Sequence, residues 1–330
     1  MSIEIPSFGE DGIEKEISPE QKEILDSAVN FADYLTNKYP QIDDGTKRII
    51  EIDEAGQILE SPPINGAEPQ QNINYCLSGS LATMLLSKAD SFSEIKENRG
   101  NNLKEGEEKI IPEKTHHILS TFARPIGDVD FDQTDFYETK KSIIFKASGK
   151  IPAEKYRNLR SQYLYKGGSG PSFDEVPDNA QKCLNRGENQ VKIMFDPVKT
   201  FEPKKIAKIK IKEKDYYITA PDNMLAYKVL HLLQSYHIKP EKFNDDFGKM
   251  LNAIKELYSE EDLEKNTVNI LKASEKNSED FHVRFNKDRE DVIGYEKKIP
   301  GQIEKVLANP NLSKEVKSFI EKIKEKIVSN

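Results

Sequence analysis

The sequence contains no tryptophan, only two cysteines and no long apolar run, and these absences exclude several classes of protein. Cys76 and Cys183 are too few for a disulfide framework and have no metal-binding spacing, so we expect a reducing cytosol. No stretch approaches the roughly 18 apolar residues of a spanning helix, and the N-terminus has no basic start and apolar run, so we expect no membrane association. The net charge of -8 argues against a protein that coats nucleic acid non-specifically, although a local basic surface can still bind phosphates.

The 330 residues are enough for a substantial core, and their pattern divides into three parts. Residues 1–70 are predicted to form an arm, a helix capped by Ser18 and a strand–turn–strand unit. Residues 71–220 are predicted to form the core, with a highly charged stretch, 90–114, that we expect to be an exposed insertion. Residues 221–330 are predicted to be a helical lobe, with helical patterns at 221–238, 243–258, 259–274 and 313–330 and an irregular interruption at 282–301. The predicted fold class is α+β, a small mixed sheet flanked by helices with a helical C-terminal lobe.

Within the core, strands and short helices alternate before a final hairpin. We predict strands at residues 75–77, at the aspartate-bearing stretch described next, at 141–147 and at 189–196, short helices after Ser80, at 116–122 and at 152–166, and a hairpin that turns near Glu213 and Lys214.

The stretch RPIGDVDF, residues 124–131, sets Asp128 and Asp130 on alternate positions of a predicted strand. Residues two apart on a strand point to the same side with Cα atoms about 6.5 to 7 Å apart, so both carboxylates can reach one divalent ion. Without a cation the two charges would repel each other. Mg²⁺ bound by paired carboxylates and substrate phosphates is common in phosphoryl transfer. The alternative is a surface strand with solvated acids.

A second motif, LSGSLATMLL, predicts a strand that ends in a Gly79-Ser80 turn and opens a helix. Such a turn points backbone N–H groups and the helix dipole at an anion, and glycine allows close approach. Gly-Ser is also an ordinary turn and cap. Together, the turn and the aspartate pair would hold the phosphates of a nucleotide beside a metal ion.

These motifs resemble the DNA polymerase beta-like nucleotidyltransferase superfamily. Within it, LSGSLATMLL, ARPIGDVDF and APDNMLAYKVLHLL look like the AbiEii-type enzymes, which are toxins of bacterial abortive-infection toxin–antitoxin systems. The resemblance covers about residues 71–250 through short motifs, and the run KFNDDFGKM departs from the family pattern at Asn244 and Gly248. It implies metal binding by Asp128 and Asp130, and nucleotide binding by Gly79, Ser80, Arg124, Lys228, Lys242 and Asp245.

The resemblance also leads us to expect a third carboxylate on a neighbouring strand, to orient or deprotonate the attacking hydroxyl. Asp196 is the candidate because it ends the predicted strand VKIMFD, although an aspartate before Pro197 also suits a strand cap. Lys228 lies at the edge of an apolar helix stripe, where a lysine can equally extend to water. Arg124 could contact phosphate or pair with an acid on the neighbouring strand.

Basic residues gather at 140–166, interleaved with tyrosines, and at 199–214. This pattern suits a nucleic-acid acceptor, while a solvated surface is the alternative. The predicted function is transfer of a nucleoside monophosphate from an NTP, with Mg²⁺, to RNA or to a protein hydroxyl. The resemblance suggests tRNA as acceptor, and a toxin that has an antitoxin partner. Two alternatives stay open: a non-catalytic protein that binds a partner or a nucleotide, and a metal-dependent phosphohydrolase or nuclease.

Overall fold

The structure, a computed structural model, describes residues 17–39, 41–42, 48–60, 73, 75–97, 104–133, 143–147, 150–152, 155, 171–185, 191–196, 205–235, 240–285 and 299–328. Its helices are α1 (Pro19–Lys38), α2 (Gly79–Leu86), α3 (Glu113–Ser120), α4 (Pro221–Ser235), α5 (Pro240–Ile254), α6 (Glu260–Phe285), α7 (Ile299–Leu307) and α8 (Lys314–Val328). Its strands are β1 (Arg48–Ile52), β2 (Ile58–Glu60), β3 (Tyr75–Leu77), β4 (Ser91–Glu97), β5 (Lys104–Glu105), β6 (Lys109–Ile110), β7 (Asp128–Gln133), β8 (Ile143–Ala147), β9 (Lys192–Asp196), β10 (Ile206–Ile211) and β11 (Lys214–Thr219).

The strands form one large mixed sheet and one small sheet. The large sheet has eight strands in the order β5-β4-β10-β11-β3-β7-β9, and β6 also pairs with β4. In its centre β3 runs parallel to β11 and antiparallel to β7, and β9 runs parallel to β7. The small sheet has the order β2-β1-β8. With five helices at the C-terminal end, this architecture confirms the predicted α+β class.

The described residues form a small apolar cluster around Cys76 and Tyr217 on one face of the large sheet and a main apolar core against the other face. The main core includes residues of α1 and α2, of the central strands and of the C-terminal helices, among them Phe31, Leu85, Phe131, Val229 and Phe319. The start of α1 agrees with its sequence signal, because Ser18 Oγ accepts a hydrogen bond from the Gln21 N–H and Gln21 Oε1 accepts one from the Ser18 N–H. Local capping and a continuous apolar face therefore fix this helix on the sheet.

The stretch 90–114 is not simply an exposed insertion, and that expectation is wrong for its first part. Ser91–Glu97 is strand β4, which pairs with β10 inside the large sheet. Phe92 is 1% exposed, and its neighbours Ser91 and Ser93 are also buried. This strand was not predicted because two of its three described buried positions, Ser91 and Ser93, are serines. The apolar alternation typical of a strand is therefore missing.

The C-terminal region is more helical than the sequence pattern indicated. α6 runs from Glu260 to Phe285, well beyond the predicted end near residue 274, and α7 (Ile299–Leu307) was not predicted. The helix predicted at 152–166 lies almost entirely outside the described residues. Among the helices that the structure describes, none has the length and apolar character needed to cross a membrane.

Candidate active site

One edge of the large sheet collects the residues that the sequence singled out. Because β3 and β11 are parallel, with Leu77 opposite Ile218, α2 and α4 both begin at the edge where these strands end. Strand β7 runs the other way, so its first residue, Asp128, lies at the same edge. The Gly-Ser turn, the start of α4 and the aspartate pair therefore converge, although they are far apart in the sequence.

The turn and the aspartate strand are in direct contact. The Ser78 N–H donates a hydrogen bond of 2.8 Å to the backbone carbonyl of Asp130. A methyl group on Gly79 would lie 2.5 Å from Oδ2 of Asp130, which is closer than a carbon and an oxygen can approach. Gly79 also has φ of +62°, a conformation that favours glycine. The backbone conformation thus favours glycine here, and a larger residue would also displace the Asp130 carboxylate.

Three aspartates, not two, follow one face of β7. Asp128 is exposed, Asp130 is half-buried and Asp132 is 1% exposed, so accessibility falls from the sheet edge inward. The residues between them, Val129 and Phe131, are fully buried in the core on the other face. The alternation predicted for Asp128 and Asp130 is therefore present. Asp132 was not predicted as part of this row, although it follows Asp130 in DVDFD by the same two-residue spacing that separates Asp130 from Asp128.

Asp132 is held by a buried hydrogen bond across the sheet. Thr219 Oγ1, at the end of β11, donates to Asp132 Oδ2 at 2.5 Å, and Thr219 is fully buried. Cys76, on the intervening strand β3, pairs with Asp132, and its Sγ lies 3.7 Å from Thr219 Oγ1. A small residue on β3 thus lets the outer strands interact. This bond links β7 to β11 just inside the edge where the candidate site lies.

Strand β9 adds two charged positions beside β7. In the parallel register, Lys192 lies opposite Asp128 and Asp196 lies opposite Asp132. The backbone therefore places Asp196 on the strand next to the aspartates, as expected for a third carboxylate, but at the inner end of the row. The side chain of Asp196 is outside the described part of the structure. Lys192 was not predicted as a site residue, because its position beside Asp128 depends on strand pairing.

Arg124 forms an ion pair, but with a helix rather than with a neighbouring strand. Its Nη2 lies 3.5 Å from Oδ2 of Asp246 on α5, and the Arg124 side chain is 49% exposed. The pair joins the segment before β7 to the C-terminal helices. Asp246 directly follows Asp245, which the family resemblance had implied. Lys242 and Asp245 both lie in α5, and their side chains are outside the described part of the structure.

Lys228 lies on α4, about two turns from its start, and is half-buried. The first turn of α4 is fixed by Asp222, whose Oδ2 lies 2.6 Å from Lys205 Nζ just before β10. Burial raises the pKa of the Asp222 carboxyl, and the Lys205 ammonium group opposes that rise. The structure thus brings the helix of Lys228 to the candidate edge. A phosphate contact of Lys228 stays a prediction.

The two basic stretches differ from a free nucleic-acid surface where they are described. In 199–214, Lys205, Lys208 and Lys214 form ion pairs with Asp222, Glu105 and Asp33 respectively. Most of 140–166 lies outside the described residues. Three described lysines of 199–214 are thus paired with acids, and an acceptor surface and a solvated surface both stay predictions.

Paired aspartate oxygens are ligands that suit Mg²⁺. Among the described residues, no group of three or more histidine, cysteine, aspartate or glutamate side chains is arranged to hold a metal ion. The carboxylate of Asp132 is engaged by Thr219 inside the sheet. Asp128 and Asp130 fit a two-carboxylate site that substrate oxygens and water would complete.

Comparisons with models of protein families, with curated proteins and with solved structures find no match to this chain.

Replacing Gly79 with alanine tests the contact at the turn. We expect Gly79→Ala to lower the free energy of unfolding by about 1–3 kcal/mol, because the methyl group collides with Asp130 in a left-handed conformation. Denaturant unfolding measures this loss. Gly127→Ala is the matched control, because a methyl group at Gly127 meets nothing within 4 Å. Equal stability of the Gly79 variant and the wild type would contradict the described geometry.

Replacing Thr219 with valine tests the bond beneath the site. Thr219→Val keeps the shape but leaves the Asp132 carboxylate without its hydroxyl donor, so we expect a loss of about 2–3 kcal/mol in unfolding free energy. Thr115→Val is the control, because Thr115 is equally buried but donates to a neutral carbonyl, that of Ala253. Its loss should be about 1 kcal/mol. Identical losses would show that the charge on Asp132 is unimportant.

Proposed function

We propose that the protein is a magnesium-dependent nucleotidyltransferase, which moves a nucleoside monophosphate from an NTP to a hydroxyl acceptor. The observation that carries the proposal is the packing of the Asp130 carboxylate against Gly79. It supports the proposal because a substrate that reached the amide-rich turn would also contact Asp130. A carboxylate repels a phosphate, whereas the N–H groups of the turn attract one. Their close packing is therefore expected where a cation binds between the carboxylate and the phosphate.

Each residue of the edge has a definable task in this proposal. Asp128 and Asp130 would hold Mg²⁺, which when bound neutralises phosphate charge and orients the reacting phosphate. The Gly79-Ser80 turn would donate N–H and hydroxyl groups to phosphate oxygens. Asp196 would orient or deprotonate the attacking hydroxyl. Asp132 is excluded from that task, because its carboxylate is buried and bonded to Thr219.

The helices would close the other side of the same site. Arg124 and Lys228 would neutralise charge that develops on the phosphates, and α5, with Lys242 and Asp245, would contribute nucleotide contacts. The acceptor would be RNA, with tRNA as the first candidate, or a protein hydroxyl. The resemblance in the motifs further supports a cytoplasmic toxin that is held in check by an antitoxin.

The decisive assay incubates the protein with each labelled NTP, Mg²⁺ and either total RNA or total protein. Label on an acceptor, lost when Mg²⁺ is chelated, supports nucleotidyl transfer. Tight nucleotide binding without transfer would instead favour a non-catalytic binding protein. Shortening of the RNA would favour a nuclease.

Neutralising either edge aspartate should abolish transfer while the fold persists. We expect Asp128→Asn and Asp130→Asn each to lower the rate at least about 100-fold, because each removes a charge that holds the cation. Asp26→Asn is the control, since Asp26 is 71% exposed and pairs with Lys88 past the opposite end of α2. Transfer that survives in both edge variants would refute the proposal.

Arg124 provides a separate test, because its ion pair with Asp246 is exposed. We expect Arg124→Ala to lower transfer about 10-fold and to change the unfolding free energy by less than about 1 kcal/mol. Asp246→Asn should leave transfer undiminished, because it frees Arg124. If the two variants lose the same activity, the ion pair itself is what matters, and a phosphate contact is disproved.

A further inference from the structure

A weak ion pair joins the segment before β7 to helix α5. Nη2 of Arg124 lies 3.5 Å from Oδ2 of Asp246, and the two side chains are 49% and 17% exposed. Asp246 is the one acid that pairs with Arg124 within the part of the chain that the structure describes. Water and salt screen an ion pair of this length and exposure, so it contributes little to stability. Another anion can therefore displace the Asp246 carboxylate.

The backbone on each side of this ion pair is fixed. Just after Arg124, the Ile126 N–H donates a hydrogen bond of 2.9 Å to the carbonyl of Cys183. On α5, Phe247 directly follows Asp246 and is 1% exposed, in the main apolar core. The two charged side chains are thus held within reach of each other, and they separate by rotation about their own bonds.

Arg124 also lies close to the acids of the candidate site. It precedes Asp128 by four positions, and four extended residues span at most about 14 Å. An arginine side chain and a triphosphate together bridge such a distance. Arginine binds carboxylate and phosphate with the same guanidinium N–H groups. A phosphate at the aspartates and the Asp246 carboxylate would therefore compete for Arg124.

We infer that Asp246 is an autoinhibitory acid, whose carboxylate competes with a substrate phosphate for the guanidinium of Arg124. The inference rests on the proposed function, because it takes the phosphate contact of Arg124 from there, and it adds a residue that lowers the affinity for phosphate. Binding then exchanges one anion for another on the same arginine. The ion pair that joins α5 to the segment before β7 is lost in the bound state.

A second ion pair provides an internal comparison. Nζ of Lys114, on α3, lies 2.6 Å from Oε1 of Glu256, just after the end of α5, and the two side chains are 67% and 36% exposed. This pair joins the same two regions of the chain, but Glu256 lies ten residues beyond Asp246, which is about 15 Å along a helix. An effect that depends on closeness to Arg124 should therefore be absent at Glu256.

The test measures binding of inorganic tripolyphosphate by calorimetry in Mg²⁺. We expect Asp246→Asn to bind about 3- to 5-fold more tightly than the wild type, because the competing carboxylate is gone. Asp246→Ser, a second neutral variant, should show the same gain. In an Arg124→Ala background, Asp246→Asn should change the affinity less than about 1.5-fold, because no guanidinium is left to release. Glu256→Gln, the matched control, should also change the affinity less than about 1.5-fold.

Three results would each overturn the inference. The first is a gain that is missing from one or both Asp246 variants, and the second is an equal gain in Glu256→Gln. The third is a gain that persists without Arg124, since loss of negative charge alone would then explain it. If the wild type still transfers label from an NTP, the inference alone fails and the proposed function stands. If the wild type binds no tripolyphosphate, the inference fails together with the proposed phosphate contacts.

Discussion

The hydrogen bond from the Ser78 N–H to the Asp130 carbonyl sets the geometry on which the candidate site depends. It ends the pairing of β3 with β7 at the point where the chain of β3 turns into α2. The Asp130 side chain therefore lies against Gly79, where a larger residue would have to displace the carboxylate. A shift of one residue in this register would turn all three aspartates toward the apolar core, at a cost that burial of charge makes prohibitive.

The two faces of the large sheet differ in the residues that they carry. One face carries Val129 and Phe131 into a core shared with the helices. The other carries a smaller apolar cluster, with Cys76 and Tyr217, and the aspartate row, in which exposure falls from Asp128 to Asp132. A strand that merely displayed solvated acids would expose every member of the row. Burial of Asp132 with a threonine partner shows that the inner end of the row is part of the fold, while its outer end, Asp128, is exposed.

The structural features that could be predicted from the sequence are those with local signals. The capping box of α1, the turn at Gly79, the alternation around Asp128 and the helix that begins at Pro221 each depend on residues a few positions apart, and the structure contains all four. The features that were not predicted depend on contacts between residues far apart in the sequence. Strand β4 is buried because it pairs with β10, and Lys192 lies beside Asp128 because β9 pairs with β7. Arg124 forms its ion pair with Asp246, more than a hundred residues away in the sequence.

The charges around the candidate edge favour a cation before a polyanion. Arg124 and Lys205, which flank the edge, are each paired with an acid from the C-terminal helices, Asp246 and Asp222. A cation already paired with a carboxylate contributes little net attraction for a phosphate, because the acid repels what the base attracts. Asp128 and Asp130 add two negative charges at the same edge. The turn supplies only partial positive charge from its amides. Lys192, opposite Asp128, and Lys228, on α4, offset part of this negative charge. A bound metal ion would add the further positive charge that a polyphosphate at this edge needs.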